Sequence, residues 1–313
     1  MTREAALHWS ERAEIGAGWG LELAFQAHRW LGRWPFRLLL LPVVLYFYAL
    51  SPEKRRASRQ YLQRLHESGG LAARPGAWLV FRHFWCFAET ALDKLLAWDP
   101  GQPAPKAIFH GQEVMARELA KGRGLILIGS HLGNLEMARA LVKGGERVIV
   151  NVLVHTRHAA RFNALMARVN PQSQARLFQV DSLGPEAVAL LQQRLEAGEV
   201  LLITGDRIPP HGRHAVRAPF FGHDAAWPVG PYVLAAALRC PVLLFFCLAR
   251  PGGYDIHYEL FEQRLELPRE GRAEALKACA ARFARRLEHH CATAPLQWGN
   301  FYPFWGLSAE QKP

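Results

Sequence analysis

A histidine and a glutamate five positions apart, His131 and Glu136, close the stretch Gly124-Leu-Ile-Leu-Ile-Gly-Ser-His-Leu-Gly-Asn-Leu-Glu136. The spacing suits base chemistry. A carboxylate that holds one ring nitrogen as a donor stabilises the imidazolium and leaves the other nitrogen to take a proton. A base of this kind activates an acceptor's hydroxyl directly, with no serine or cysteine nucleophile. The same spacing also arises when a histidine merely caps a strand and a glutamate merely favours a helix N-terminus.

The surrounding residues decide what positions the pair. Leu125 to Ile128 is a short continuous apolar run between Gly124 and Gly129, the pattern of a strand buried in a parallel sheet. Ser130 to Asn134 is small and polar, so the chain turns there, and Glu136 to Val142 reads as a helix with Asn134 as its N-cap. His131 therefore belongs at the carboxyl end of a strand, where open α/β sheets bind ligands.

A second group of polar residues follows another apolar strand, Val200-Leu-Leu-Ile-Thr204. Asp206 and Arg207 come next and are expected at the same sheet edge. Arg207 could grip a phosphate or a developing oxyanion, or it could simply pair with Asp206. His211, Arg213, His214 and Arg217 extend this basic loop, and His155, Arg157, His158 and Arg161 offer a second basic rim. Both would suit an anionic headgroup, although such runs are commonly solvated faces. Phe220-Phe221-Gly222 is expected to wall the site with apolar surface. His289-His290 beside Cys291 reads as surface rather than a metal site, since no carboxylates or thiols cluster with it in sequence.

Periodicity along the rest of the chain predicts an α/β fold with a mainly parallel sheet flanked by helices. Helices are expected over 8–33, 53–67, 77–96, 112–121, 162–169, 185–196, 228–238 and 273–290. Strands are expected over 147–154, 176–180, 200–204, 241–248 and, antiparallel, 254–261. Residues 34–50, Trp-Pro-Phe-Arg-Leu-Leu-Leu-Leu-Pro-Val-Val-Leu-Tyr-Phe-Tyr-Ala-Leu, are the most apolar run. The run is short of the roughly 20 residues a spanning helix needs, and Pro42 interrupts it. Arg29, Arg33 and Arg37 lie on one flank and Lys54, Arg55, Arg56 and Arg59 on the other. That pattern predicts a segment dipping into one leaflet, with a buried core helix as the other reading. The expected division is a helical membrane-associating region over 1–70 and an α/β domain over 71–313.

The motif His131-Leu-Gly-Asn-Leu-Glu136 resembles the H-x4-D/E signature of the glycerolipid and lysophospholipid acyltransferases. Within that superfamily the chain is most similar to the bacterial lipid A biosynthesis (lauroyl/myristoyl) acyltransferase family. Gly205-Asp-Arg207, Pro219-Phe-Phe-Gly222 and Pro228-Val-Gly-Pro231 follow in that family's order, and the resemblance covers roughly residues 75–305. The ending Gln297-Trp298 with Phe301-Tyr-Pro-Phe-Trp305 departs from a basic W-x-H-R-R-like ending and looks more like the aryl-polyene-cluster relatives. The resemblance implies an acyl thioester donor, acyl carrier protein or coenzyme A, and a hydroxyl of a lipid or glycolipid as acceptor. It implies His131 as base and Glu136 as its orienting partner. The Gly133-Asn134 backbone N–H groups, with Arg207, would stabilise the oxyanion, and Asp206, Phe221 and Gly222 would belong to the substrate site. No metal and no organic cofactor is implied. The place of work would be the cytoplasmic face of a bacterial inner membrane.

Composition agrees with anionic partners. The 313 residues carry 38 Lys and Arg against 27 Asp and Glu, a formal net charge of +11. Ten Trp and 17 Phe make a heavy aromatic load, which a water–lipid boundary would partly explain. The five cysteines contain no C-x-x-C pair and read as reduced thiols. The first residues, MTREAALHWSERAEIG, are charged and lack the apolar core of a secretory signal. An α/β hydrolase lacks support because no G-x-S-x-G elbow is present, and a nucleic-acid-binding module lacks an accompanying motif, so no nucleic acid is expected as a partner.

Overall fold

The computed structural model describes residues 33–96, 106–135, 148–154, 176–179, 184–208 and 215–306. Among the described residues three helices come first: α1 (Arg33–Leu50), α2 (Pro52–Glu67) and α3 (Ala77–Leu96). The α/β part follows with β1 (Ala107–His110), α4 (Gln112–Leu119), β2 (Ile126–Gly129), β3 (Val150–Val154), β4 (Arg176–Gln179), α5 (Pro185–Glu196) and β5 (Val200–Thr204). Then come β6 (Ala215–Phe220), β7 (His223–Pro228), α6 (Gly230–Leu238), β8 (Val242–Arg250), β9 (Gly253–Glu262), α7 (Arg272–Thr293) and a 3-10 turn at Phe304–Gly306. The expected helices over 136–142 and 162–169, and all of the 8–33 helix but Arg33, lie outside the described residues.

Seven strands form one sheet in the order β1-β9-β8-β2-β5-β3-β4. Every neighbouring pair is parallel except β8 with β9. The mainly parallel α/β architecture and the antiparallel 254–261 strand are as the sequence predicts. Two elements are not: residues 107–110 pair with β9 as an edge strand, and 215–228 fold into a separate antiparallel hairpin. Neither has the continuous apolar run that marks a central parallel strand.

Side-chain alternation along the strands builds two cores. On one face Ile126, Ile128, Leu201, Ile203, Leu244 and Phe246 pack with Leu276, Ala280, Phe283 and Leu287 of α7. On the other, Leu125, Leu127, Leu202, Leu243 and Phe245 pack with Met115 of α4. Tyr61, Leu62 and Leu65 of α2 are fully buried in the first core, so α2 is packed into the same interior as the sheet. Tyr61 also donates to the Pro295 carbonyl (2.9 Å).

The helix α1 behaves differently. Arg37 on it pairs with Glu89 of α3, and Val44 is buried. Its other face exposes Leu38 (72%), Leu39, Val43, Leu45, Tyr46 and Leu50, and Trp78 of α3 is 69% exposed. Among the described residues no helix is long and apolar enough to cross a membrane.

Candidate active site

Strand register brings the chemical residues together. β2 and β5 are adjacent and parallel, with Gly129 opposite Thr204. Two residues further along each strand come His131 and Asp206, side by side at the carboxyl edge. The His131 ring Nδ1 and Asp206 Oδ1 are 2.8 Å apart, and the His131 main-chain N–H donates to Asp206 Oδ2 (2.8 Å). A carboxylate can only accept, so the proton between them is carried by Nδ1. The His131 side chain is 28% exposed, whereas that of Asp206 is 1% exposed. The imidazole thus opens outward from a buried anion.

Asp206 is made an anion by its neighbours. Burial alone would raise its pKa. The charge of His131, the ring and main-chain hydrogen bonds from the same residue, and the charge of Arg207 outweigh burial and hold it at about 2. A third donor reaches the carboxylate from the far end of the chain: Trp298 Nε1–H bonds to Oδ2 at 3.0 Å. The indole is fully buried, packed edge-on against Tyr61, Phe220 and Phe304.

Trp298 belongs to a segment that pairs with the motif turn. Leu132 and Trp298 form an antiparallel bridge, with Gly133 N–H donating to Gln297 O (2.9 Å) and Gly299 N–H to His131 O (2.8 Å). The Gln297 side chain clamps β8, accepting from Ala249 N–H (2.8 Å) and donating to Ala249 O (2.7 Å). Asn134 N–H donates to Cys247 O of β8 (2.8 Å). The expectation that the Gly133 and Asn134 N–H groups stabilise an oxyanion is therefore corrected, because both are bonded to carbonyls that fasten the turn to its neighbours. Gly133 serves that fastening: its φ is +71°, and a Cβ there would stand 2.0 Å from Cys247 O. The Asn134 side chain is buried and reaches Tyr254, which donates to Asp93 of α3 (2.7 Å).

Arg207 lies at the same edge, its guanidinium 5.6 Å from the centre of the Tyr302 ring. Its Nη2 donates to Gly299 O (2.8 Å), the residue whose N–H holds His131 O. Phe221 and Gly222 are placed differently from the expected wall. They form the hairpin tip between β6 and β7, both with positive φ (49° and 73°), the geometry of a type I′ turn. Phe221 is buried near Phe220 and Tyr61, its N–H bonded to Glu288, and Gly222 is exposed. It is Phe220 beside them that supports the site, by packing on Trp298.

Glu136, His155, Arg157, His158, Arg161, His211, Arg213 and His214 lie outside the described residues. The ring nitrogen that Asp206 holds is Nδ1. His289 is exposed as expected, but His290 is buried and bonded to Glu259 (2.8 Å), which also receives two bonds from Arg286. Among the described residues no group of three or more potential ligands could hold a metal. Sequence reasoning missed Trp298 as a site residue. The only signal was the aromatic density of residues 298–305, which carries no spacing relative to His131.

Two curated relatives are similar to this chain. Over 212 residues the chain is 26% identical to the phosphatidylinositol mannoside acyltransferase of Mycobacterium tuberculosis, in each of two strains (H37Rv and CDC 1551). The alignment covers 63% of this chain and 60% of each relative. The family described as bacterial lipid A biosynthesis acyltransferase matches residues 71–306, a span that holds His131, Asp206, Arg207 and Trp298 together, and the chain belongs to that family.

Proposed function

We propose that this protein is an O-acyltransferase that moves an acyl chain from a thioester, on acyl carrier protein or coenzyme A, to a hydroxyl of a lipid or glycolipid. The observation that carries the reading is the His131–Asp206 pair at the carboxyl edge of the sheet. Asp206 fixes the tautomer, so base chemistry goes through Nε2. The acceptor O–H gives its proton to Nε2 as its oxygen attacks the thioester carbonyl carbon. The tetrahedral intermediate collapses with cleavage of the C–S bond, and the imidazolium returns the proton to the leaving thiolate. Asp206 offsets the positive charge on the ring throughout. The name of the mycobacterial relative supports an acceptor that is itself a lipid glycoside. Purified protein supplied with acyl carrier protein or coenzyme A thioesters and a glycolipid acceptor should give an acylated acceptor by mass spectrometry. Thioester hydrolysis without any acceptor product would overturn the reading.

Arg207 is proposed to hold an anionic part of donor or acceptor while its Nη2 keeps Gly299 in place. Lysine keeps the charge but loses the planar fork. Arg207→Lys is expected to lower kcat/KM by about tenfold, the cost of one charge-assisted hydrogen bond. Unchanged kinetics with a lowered melting temperature would leave Arg207 a purely structural role.

The proposed place of work is the cytoplasmic face of a bacterial inner membrane. The exposed apolar face of α1, flanked by the exposed Arg56 and Arg59 of α2, fits a helix lying in one leaflet. Because α2 is part of the core, truncation through residue 60 would confound attachment with folding. Replacing Leu38, Leu39 and Leu45 together by Gln removes only exposed apolar surface. The triple variant should shift from the membrane pellet to the supernatant at an unchanged melting temperature. If high salt alone releases the unaltered protein, charge suffices and insertion is refuted.

A further inference from the structure

His83 of α3 is a fully buried histidine that touches neither His131 nor Asp206, and both of its ring nitrogens are bonded. Nε2 lies 2.8 Å from Trp298 O, and Nδ1 lies 2.8 Å from Ser58 Oγ of α2. A carbonyl oxygen can only accept, so the proton sits on Nε2, and Nδ1 accepts from the Ser58 hydroxyl. The ring stacks on Phe301 (4.5 Å between centroids, 22° between planes) and leans on Tyr61. Burial pushes its pKa down to about 4, so the ring is neutral at physiological pH and this arrangement is its standing one.

What His83 holds is the segment that completes the site. Among the described residues Trp298 O has one other donor, Asn300 N–H (2.7 Å). From the same residue the indole N–H reaches Asp206 Oδ2, and the flanking main chain bridges to Gly133 and His131. The indole bond to Asp206, at 3.0 Å the longest of the three N–H bonds that the described residues give the carboxylate, depends on where the Trp298 backbone lies.

We propose that His83 is a positioning residue for the reaction: by donating from Nε2 to Trp298 O it sets where the indole N–H meets Asp206, and so ties α2 and α3 to the His131–Asp206 pair. The assignment rests on the acyltransferase reading given above for its kinetic consequences but not for its physical ones. The competing account is that His83 only fills space and satisfies Ser58.

Three substitutions separate the accounts. His83→Phe keeps the ring volume and the stack on Phe301 but removes the donor. His83→Asn can still reach Ser58 but is too short for Trp298 O. His83→Gln can place its amide N–H where Nε2–H was. Phe and Asn are each expected to lower kcat about tenfold, with KM within about twofold, and Gln is expected to recover most of the loss. The acid limb of the kcat/KM profile should move to higher pH in Phe and Asn, because a carboxylate with one donor fewer holds the imidazolium more tightly. In NMR spectra the Trp298 indole N–H, identified by its loss in Trp298→Phe, should shift upfield in Phe and Asn and return in Gln. If Phe fails to fold, Asn against Gln still decides. Lowered melting temperatures with unchanged kcat, pH profile and indole shift would overturn the proposal, as would Gln performing no better than Asn. If no acyl transfer is found in the unaltered protein, the indole signal still tests the relay while the function fails separately.

Discussion

His131→Ala is expected to reduce acyl transfer by roughly 10²–10⁴, the range a positioned general base contributes. The effect should fall on kcat and kcat/KM alike, since the proton moves only as the acceptor oxygen attacks. Stability needs a separate control. Asp206 is buried, and losing the imidazole leaves its Oδ1 without the 2.8 Å bond it receives from Nδ1. His131→Asn answers this, because its amide N–H can donate to Oδ1 where Nδ1–H did, while no basic nitrogen remains. Both variants should therefore be inactive, and Asn should be the more stable. Acid unfolding reads the same bond. Asp206 sits at about 2, below the ordinary carboxyl value of about 3.9, so it contributes stability above pH ~4 that is lost as pH falls toward 2. Without its histidine partner the folded-state pKa rises, and His131→Ala should begin to unfold at higher pH than the unaltered protein. Near wild-type turnover in folded His131→Asn would show that another group is the base.

Sequence alone made one half of this site visible and hid the other. The apolar run Leu125–Ile128 and the polar turn after it announced a strand with a histidine at its end, and β2 does end at Gly129. The apolar run before Asp206 was equally legible. What the chain could not reveal was that these two strands are neighbours. β3 and β4 lie between them in sequence, yet β5 pairs directly with β2, so the observed partner of Nδ1 lies 75 positions away in sequence. Such pairing is set by the order in which crossovers place strands, and local periodicity contains none of that information. Trp298 was hidden for a related reason. Its indole meets Asp206 across 92 positions through an isolated bridge too short to leave an alternating pattern. The oxyanion expectation failed because an N–H in a glycine-containing turn looks available in sequence, whereas Gly133 and Asn134 donate to Gln297 and Cys247. The β6–β7 hairpin escaped notice because its tip is Phe221-Gly222 rather than the usual Asn-Gly, with a bulky residue held at φ 49° by burial.

Asp206→Asn is expected to cost as much as losing the base itself, roughly 10³–10⁴ in kcat, while leaving the fold intact. The reason lies in the three donors that converge on this carboxylate: His131 N–H and Trp298 Nε1–H on Oδ2, and His131 Nδ1–H on Oδ1. An amide has one accepting oxygen and one donating NH2. With the oxygen at the Oδ2 position, both the main-chain and indole donors stay satisfied. The NH2 then faces Nδ1 and can be accommodated only if Nδ1 gives up its proton and accepts. Every buried group is paired in that state, so the protein has no reason to unfold. The imidazole, however, now carries its proton on Nε2 and has no lone pair there for the acceptor hydroxyl. The small fraction of enzyme in the original tautomer would meet an amide that cannot offset the imidazolium, so the acid limb of its residual activity should move to lower pH, opposite to the shift expected for His83→Phe. Glu136→Gln is the comparison that tests the assignment. Since Nδ1 is already held by Asp206, the glutamine variant should lose less than the asparagine one. If Asp206→Asn kept near wild-type turnover while Glu136→Gln abolished it, the orienting carboxylate would be Glu136, and the pairing of His131 with Asp206 would be structural only.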